Sequence, residues 1–162
     1  MVMISNYNLE RVGDMIFVRS KEKPVCPICF SQMKAIGSKR RNGILQDGVK
    51  QTFVIRRLKC EKCEPTHHEL PDIFVPFKHY CVDTIEAIAV NGDKSVTPSP
   101  STISRIKRWW QSIEMYFALI VVSLFVKYEV EFPATPSQKQ VIRALVNSLS
   151  WRHKRHLTMA SP

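Results

Sequence analysis

With 162 residues and 44% hydrophobic side chains, the chain holds enough apolar material for one ordinary domain or two small ones, which excludes a large enzyme and wholesale disorder. Its 24 Lys and Arg against 14 Asp and Glu leave a net charge of +10, which suits a polyanionic partner. The charge is concentrated: Lys34, Lys39, Arg40, Arg41, Lys50, Arg56, Arg57 and Lys59 are opposed within their segment by Asp47 alone, and no acid follows Glu131.

The opening "MVMISNYNLERVG" lacks the basic start, apolar run and small-residue cleavage site of a signal peptide, which predicts a cytoplasmic protein. Five cysteines in such a chain argue against a disulfide framework, because the cytosol keeps thiols reduced. Four of them form the pairs Cys26-x-x-Cys29 and Cys60-x-x-Cys63. Each pair turns two thiolates toward one ion, and two pairs complete a tetrahedral four-sulfur shell. Between the pairs, "MKAIGSKRR" and "KQTFVIRRLK" read as strands, separated by the turn dipeptides Asn42-Gly43 and Asp47-Gly48.

Knuckle, hairpin and knuckle predict a zinc ribbon with one structural Zn2+ on Cys26, Cys29, Cys60 and Cys63; redox-active pairs or free thiols are the alternatives. His67 and His68 read as surface or hydrogen-bonding histidines, with a substitute or extra ligand at Cys63-x-x-x-His67 as the alternative. Cys81 reads as a small buried hydrophobe at a helix start.

"HHELPDIFVPFKHY" carries Pro71 and Pro76 and reads as an extended strap. Val82, Ile85, Ile88 and Ala89 recur at helical spacing, predicting a short helix from about Val82 to Val90 that "NGDKSVTPS" breaks. Ser99 as N-cap and Pro100 at the first helical position open a second helix, which continues to about Val126. Its Ile103, Ile106, Trp109, Trp110 and Ile113 form a buried stripe, and Tyr116, Phe117 and Phe125 extend that core. The opposite side displays Ser101, Thr102, Ser104, Arg105, Lys107 and Arg108, residue types that meet phosphates and guanine edges in a major groove. The apolar run Met115 to Val126 is short of the roughly 20 residues that cross a bilayer, so no membrane partner is expected. A last helix is predicted after Ser137, with Val141, Ile142, Leu145 and Leu149 docking on the core and the basic ending "WRHKRH" following it.

These residues carry a resemblance. "CPIC", the basic hairpin, "RRLKCEKC", the "LP...VPFKHY" strap, a short helix and "STISRIKRWW" resemble the amino-terminal zinc ribbon and helix-turn-helix region of bacterial insertion-sequence transposases. They also resemble short bacterial proteins that carry this region without a catalytic domain. The likeness covers about Val25 to Trp110. It implies an α+β fold class, a four-cysteine zinc ribbon followed by an all-α helix-turn-helix-like domain. The division would be 1–80 for the ribbon with an N-terminal strand and strap, and 81–162 for the helices and basic tail.

The expected function is that of a zinc-ribbon protein of mobile-element or phage type that recognises duplex DNA as a regulator or recombination accessory. Lys39, Arg40, Arg41, Arg56 and Arg57 would neutralise phosphates, while Ser101, Thr102, Ser104, Arg105, Lys107 and Arg108 would approach the groove. The chain is expected not to be an enzyme: it has no glycine-rich phosphate loop, no G-x-S-x-G elbow and no H-E-x-x-H helix. The alternatives are a protein-interaction adaptor, using the ribbon and the apolar helix on a protein partner, and an RNA-binding ribbon. A palindromic DNA target would imply a homodimer.

Overall fold

A computed structural model describes residues 1–89 and 98–128. Six strands come first: β1 (Val2–Ile4), β2 (Tyr7–Val12), β3 (Met15–Ser20), β4 (Met33–Ile44), β5 (Lys50–Cys60) and β6 (Thr66–Pro71). Two helices follow, α1 (Val82–Ala89) and α2 (Pro100–Tyr128).

β5 organises the sheet. Along one edge it pairs antiparallel with the whole of β4, from Met33↔Cys60 to Ile44↔Lys50. Along the other it pairs with β3 in parallel at Thr52 to Val54 and with β6 antiparallel at Arg57 to Lys59. β2 extends β3, and β1 lies parallel to β6. The result is a six-stranded half-barrel.

Side chains alternate across a strand, and β5 buries a different face at each end. Phe53 and Ile55 enter the main core with Met3, Ile4, Leu70, Phe74, Val82, Ile85, Ile88, Ile106, Trp109 and Ile113. Leu58 and Cys60, of the opposite parity, join Met33 and Cys26 in a smaller cluster. The β4 register shifts between Ala35 and Gly37, opposite this changeover, and Gly37 takes a φ of 146° that few other residues adopt.

The main core gathers side chains from the sheet and from both helices, which corrects the expected fold. The chain is not a zinc ribbon followed by an all-α helix-turn-helix-like domain. More of its described residues lie in strands than in helices, and the helices pack on the sheet. α2 alone runs for 29 residues, about 43 Å at helical rise. The strands β1, β2 and β3 give little pattern to read: β1 has three residues, and β2 is exposed at five of its six positions.

Several local expectations agree with the fold. α1 starts at Val82 and α2 at Pro100; the Ser99 hydroxyl accepts from Thr102 N (3.4 Å), and the Ser99 carbonyl accepts from Ile103 N (3.0 Å). Cys81 is buried immediately before α1. The β4–β5 turn is made by Asp47-Gly48, where Leu45 N donates to Val49 O and the Asp47 carboxylate accepts from Val49 N. Asn42-Gly43 is instead part of β4. A Cβ on Gly43 would lie 2.5 Å from Phe74 Cε1 and 3.1 Å from Cys81 Sγ, so this glycine serves a close approach of the strap and no turn. The first part of the strap is itself a strand, β6. The predicted helix after Ser137, the basic ending, most of the "NGDKSVTPS" break and the side chains of Phe117 and Phe125 lie outside the described residues.

Candidate functional site

The β4–β5 hairpin brings the two cysteine pairs together. Cys26 and Cys29 precede β4, Cys60 closes β5, and Cys63 follows it. The two knuckles are built alike. Cys26 N donates to Ser31 O (2.8 Å) and Cys60 N to Pro65 O (3.2 Å), the acceptor standing in each case at the same offset from the cysteine. The residue after each second cysteine has a positive φ, 57° at Phe30 and 59° at Glu64.

All four sulfurs lie within 4.8 Å of one another. Cys26 Sγ is 3.5 Å from Cys63 Sγ, and Cys29 Sγ is 3.4 Å from Cys60 Sγ and 3.5 Å from Cys63 Sγ. A tetrahedron with Zn–S bonds of about 2.3 Å has edges of about 3.8 Å, so the four cysteines fit an ion of that size. They could hold a metal ion such as zinc.

The thiols also fit electrostatically. Hydrogen bonds from the Ser31 amide and hydroxyl bring the Cys29 thiol down to about 6, whereas burial and the neighbouring thiols push Cys63 well above its ordinary value. A single thiolate therefore makes the next one costly. A divalent cation removes that conflict by stabilising all four.

His67, on β6, stands behind this group. It is buried, its Nδ1 is 3.0 Å from the amino-terminal nitrogen of Met1, and its Nε2 is 3.9 Å from Cys26 Sγ. An ammonium can only donate, so Nδ1 accepts and Nε2–H points to the Cys26 sulfur. That is the arrangement of a residue that supports a ligand from outside the coordination shell. His68, its strand neighbour, pairs in register with Arg57. Burial, Lys39 and Arg57 depress its imidazole below the usual histidine value.

The basic residues of the hairpin divide into two groups. Lys39, Arg40 and Arg57 are exposed. By register, Lys39, Arg57 and His68 share one face across β4, β5 and β6, and Arg40 is on the other. Arg41 and Arg56 turn inward. Arg41 Nη2 donates to the carbonyls of Val75 and Lys78, both at 3.0 Å, and its guanidinium lies over the Phe74 ring. Arg56 forms a two-point bond with Glu69, 2.6 Å on each arm.

On α2, Ser101, Ser104, Lys107 and Arg108 are exposed. Thr102 and Arg105 are half-buried and line a cleft with Phe77, Lys78, His79 and Tyr80 of the strap. The strap residues were missed by the sequence reading, because "FKHY" carries no periodicity. Their signal was three polar side chains in a row behind a Pro-Phe turn.

The family model described as a domain of unknown function, DUF6431, matches residues 26–109, more than half of the 162 residues. The chain belongs to this family. The DUF6431 segment begins at the first cysteine of the candidate metal centre and ends at Trp109, in the α2 core stripe. It therefore takes in both knuckles, the basic hairpin, the strap, α1 and the start of α2, whereas β1, β2 and β3 precede it. No curated protein and no solved structure matches the chain.

Proposed function

We propose that the chain is a non-catalytic, zinc-braced protein that binds duplex DNA. The observation that carries the reading is the exposed basic face of the hairpin, where Lys39 and Arg57 stand beside His68, with a four-cysteine centre clamping the hairpin's open end. Four thiolates fill a tetrahedron and leave no position for water, so the zinc is structural. Its contribution is rigidity, which holds the cationic side chains in place before a polyanion arrives.

Phosphates are neutralised by Lys39 and Arg57, and the exposed Ser101, Ser104, Lys107 and Arg108 of α2 supply further polar and cationic contacts. The resemblance to insertion-sequence transposases favours duplex DNA as the polymer and a regulatory or recombination-accessory role in the cytoplasm. Zinc-loaded protein titrated with random duplex, matched single strands and structured RNA across a salt series tests the reading. Duplex preference is expected, with log affinity falling by about 0.9 per neutralised phosphate for each log unit of salt. Absence of binding to every nucleic acid at low salt would overturn it.

One observation favours an adaptor instead. Leu119, Val122 and Val126 recur along one side of α2 and are 62%, 58% and 74% exposed. A protein partner held there would stay bound at high salt, because apolar contact is not screened.

A further inference from the structure

We propose that the cleft between the strap and the first turns of α2 is a phosphate-binding site, in which Lys78 and Arg105 neutralise one phosphate oxyanion and His79, Tyr80 and Thr102 offer hydrogen bonds. The inference rests on the nucleic-acid reading for its natural ligand, a backbone phosphodiester, but the site is defined by its own geometry.

The cleft has a volume of about 140 Å³, and its lining contains a lysine, an arginine, an imidazole and two hydroxyls, with no carboxylate among the described residues that form it. Its walls are fixed. Lys78 N donates to Val75 O (3.2 Å) across a turn with Pro76 and Phe77 at its centre, and Phe77 has a φ of 61°. Such a conformation is costly for a side chain larger than glycine and is found where the surrounding structure enforces it. Arg41 enforces it here by binding the carbonyls of Val75 and Lys78, and Ile44 N by binding the carbonyl of His79 (2.8 Å). On the helix side, Arg105 Nε donates to Ser101 O (3.3 Å), which lays the side chain along the first turns.

Lys78 is the most telling member. Its ammonium is 4.7 Å from the centre of the Trp109 ring, half-buried, and pairs with no carboxylate among the described residues. Burial lowers its proton affinity below that of an ordinary lysine. The ring recovers part of that cost, and an anion in the cleft would recover the rest. A phosphate fits better than a lone carboxylate because two cations and three further polar groups exceed what one carboxylate's charge and two oxygens can use.

Two experiments separate this inference from the reading it deepens. In the first, the zinc-loaded full chain is titrated with inorganic phosphate and followed by amide NMR. Saturable shifts confined to Lys78, His79, Thr102 and Arg105, and lost in Lys78→Gln/Arg105→Gln, are expected; their absence from the wild-type protein would overturn the site. In the second, duplex DNA binding is measured across salt. The double variant should bind several-fold more weakly, with a salt slope smaller by about 0.9, the share of one phosphate. An unchanged slope in a folded variant that binds DNA would also overturn the site. Phosphate shifts in a wild-type protein that binds no DNA would remove the nucleic-acid reading and leave the cleft as a phosphate site.

Discussion

Phe30 follows the second cysteine of the first knuckle with a φ of 57° and is 73% exposed, so its ring contributes little burial while its backbone is in a region that costs about 1–2 kcal/mol for a residue with a Cβ. Phe30→Gly should therefore stabilise the zinc-loaded protein by about 1 kcal/mol, read from urea unfolding. The opposite sign is expected at Glu69. Its carboxylate is 1% exposed and takes both arms of Arg56, so Glu69→Gln leaves a partly exposed guanidinium without its charged partner. A loss of about 2 kcal/mol in the same measurement is expected. A basic residue in a basic segment reads as surface from sequence alone. Whether it reaches solvent depends on a buried acid that a different strand supplies, as β6 does for Arg56.

Among the elements, β2 is tied to the loop after β6 through Tyr7, whose hydroxyl donates to Asp72 Oδ1 at 2.8 Å. Burial and that carboxylate raise the Tyr7 phenol above its ordinary value of 10.0. A raised value means the fold favours the neutral phenol. Its contribution to stability is thus complete below pH 10.0 and declines as the pH rises beyond it. Wild-type protein should lose unfolding free energy relative to Tyr7→Phe as pH climbs past that value, and a constant difference between the two would show that the bond is unimportant. The hairpin strands, α1 and the capped start of α2 were legible in the sequence because their signals are local: alternation, helical spacing, a Ser-Pro start. β2 and β6 were not. β2 has little buried to alternate with, and β6 buries His67 and Glu69, polar residues whose partners lie on other segments.

At the scale of the molecule, the cysteine cluster and the main core occupy opposite faces of β5, so loss of the metal should weaken one without emptying the other. Cys60→Ser removes a fully buried thiol of the candidate metal centre. Bound zinc should fall from one equivalent to near none, with loss of amide protection at the knuckles and the adjoining ends of β4 and β5. Protection at Phe53, Ile85 and Ile106 should largely persist. Full zinc occupancy in the variant would exclude the four-cysteine assignment.

The sequence by itself determined the four cysteines of the candidate metal centre, the hairpin between them and the two helix starts, since each rests on residue type and short-range spacing. Only the tertiary structure decided that the helices join the sheet in one core, that Arg41 and Arg56 face inward, and that Lys78 meets Arg105 across a cleft. Those outcomes depend on which surfaces exclude water together, and burial of that kind is a property of distant segments in contact.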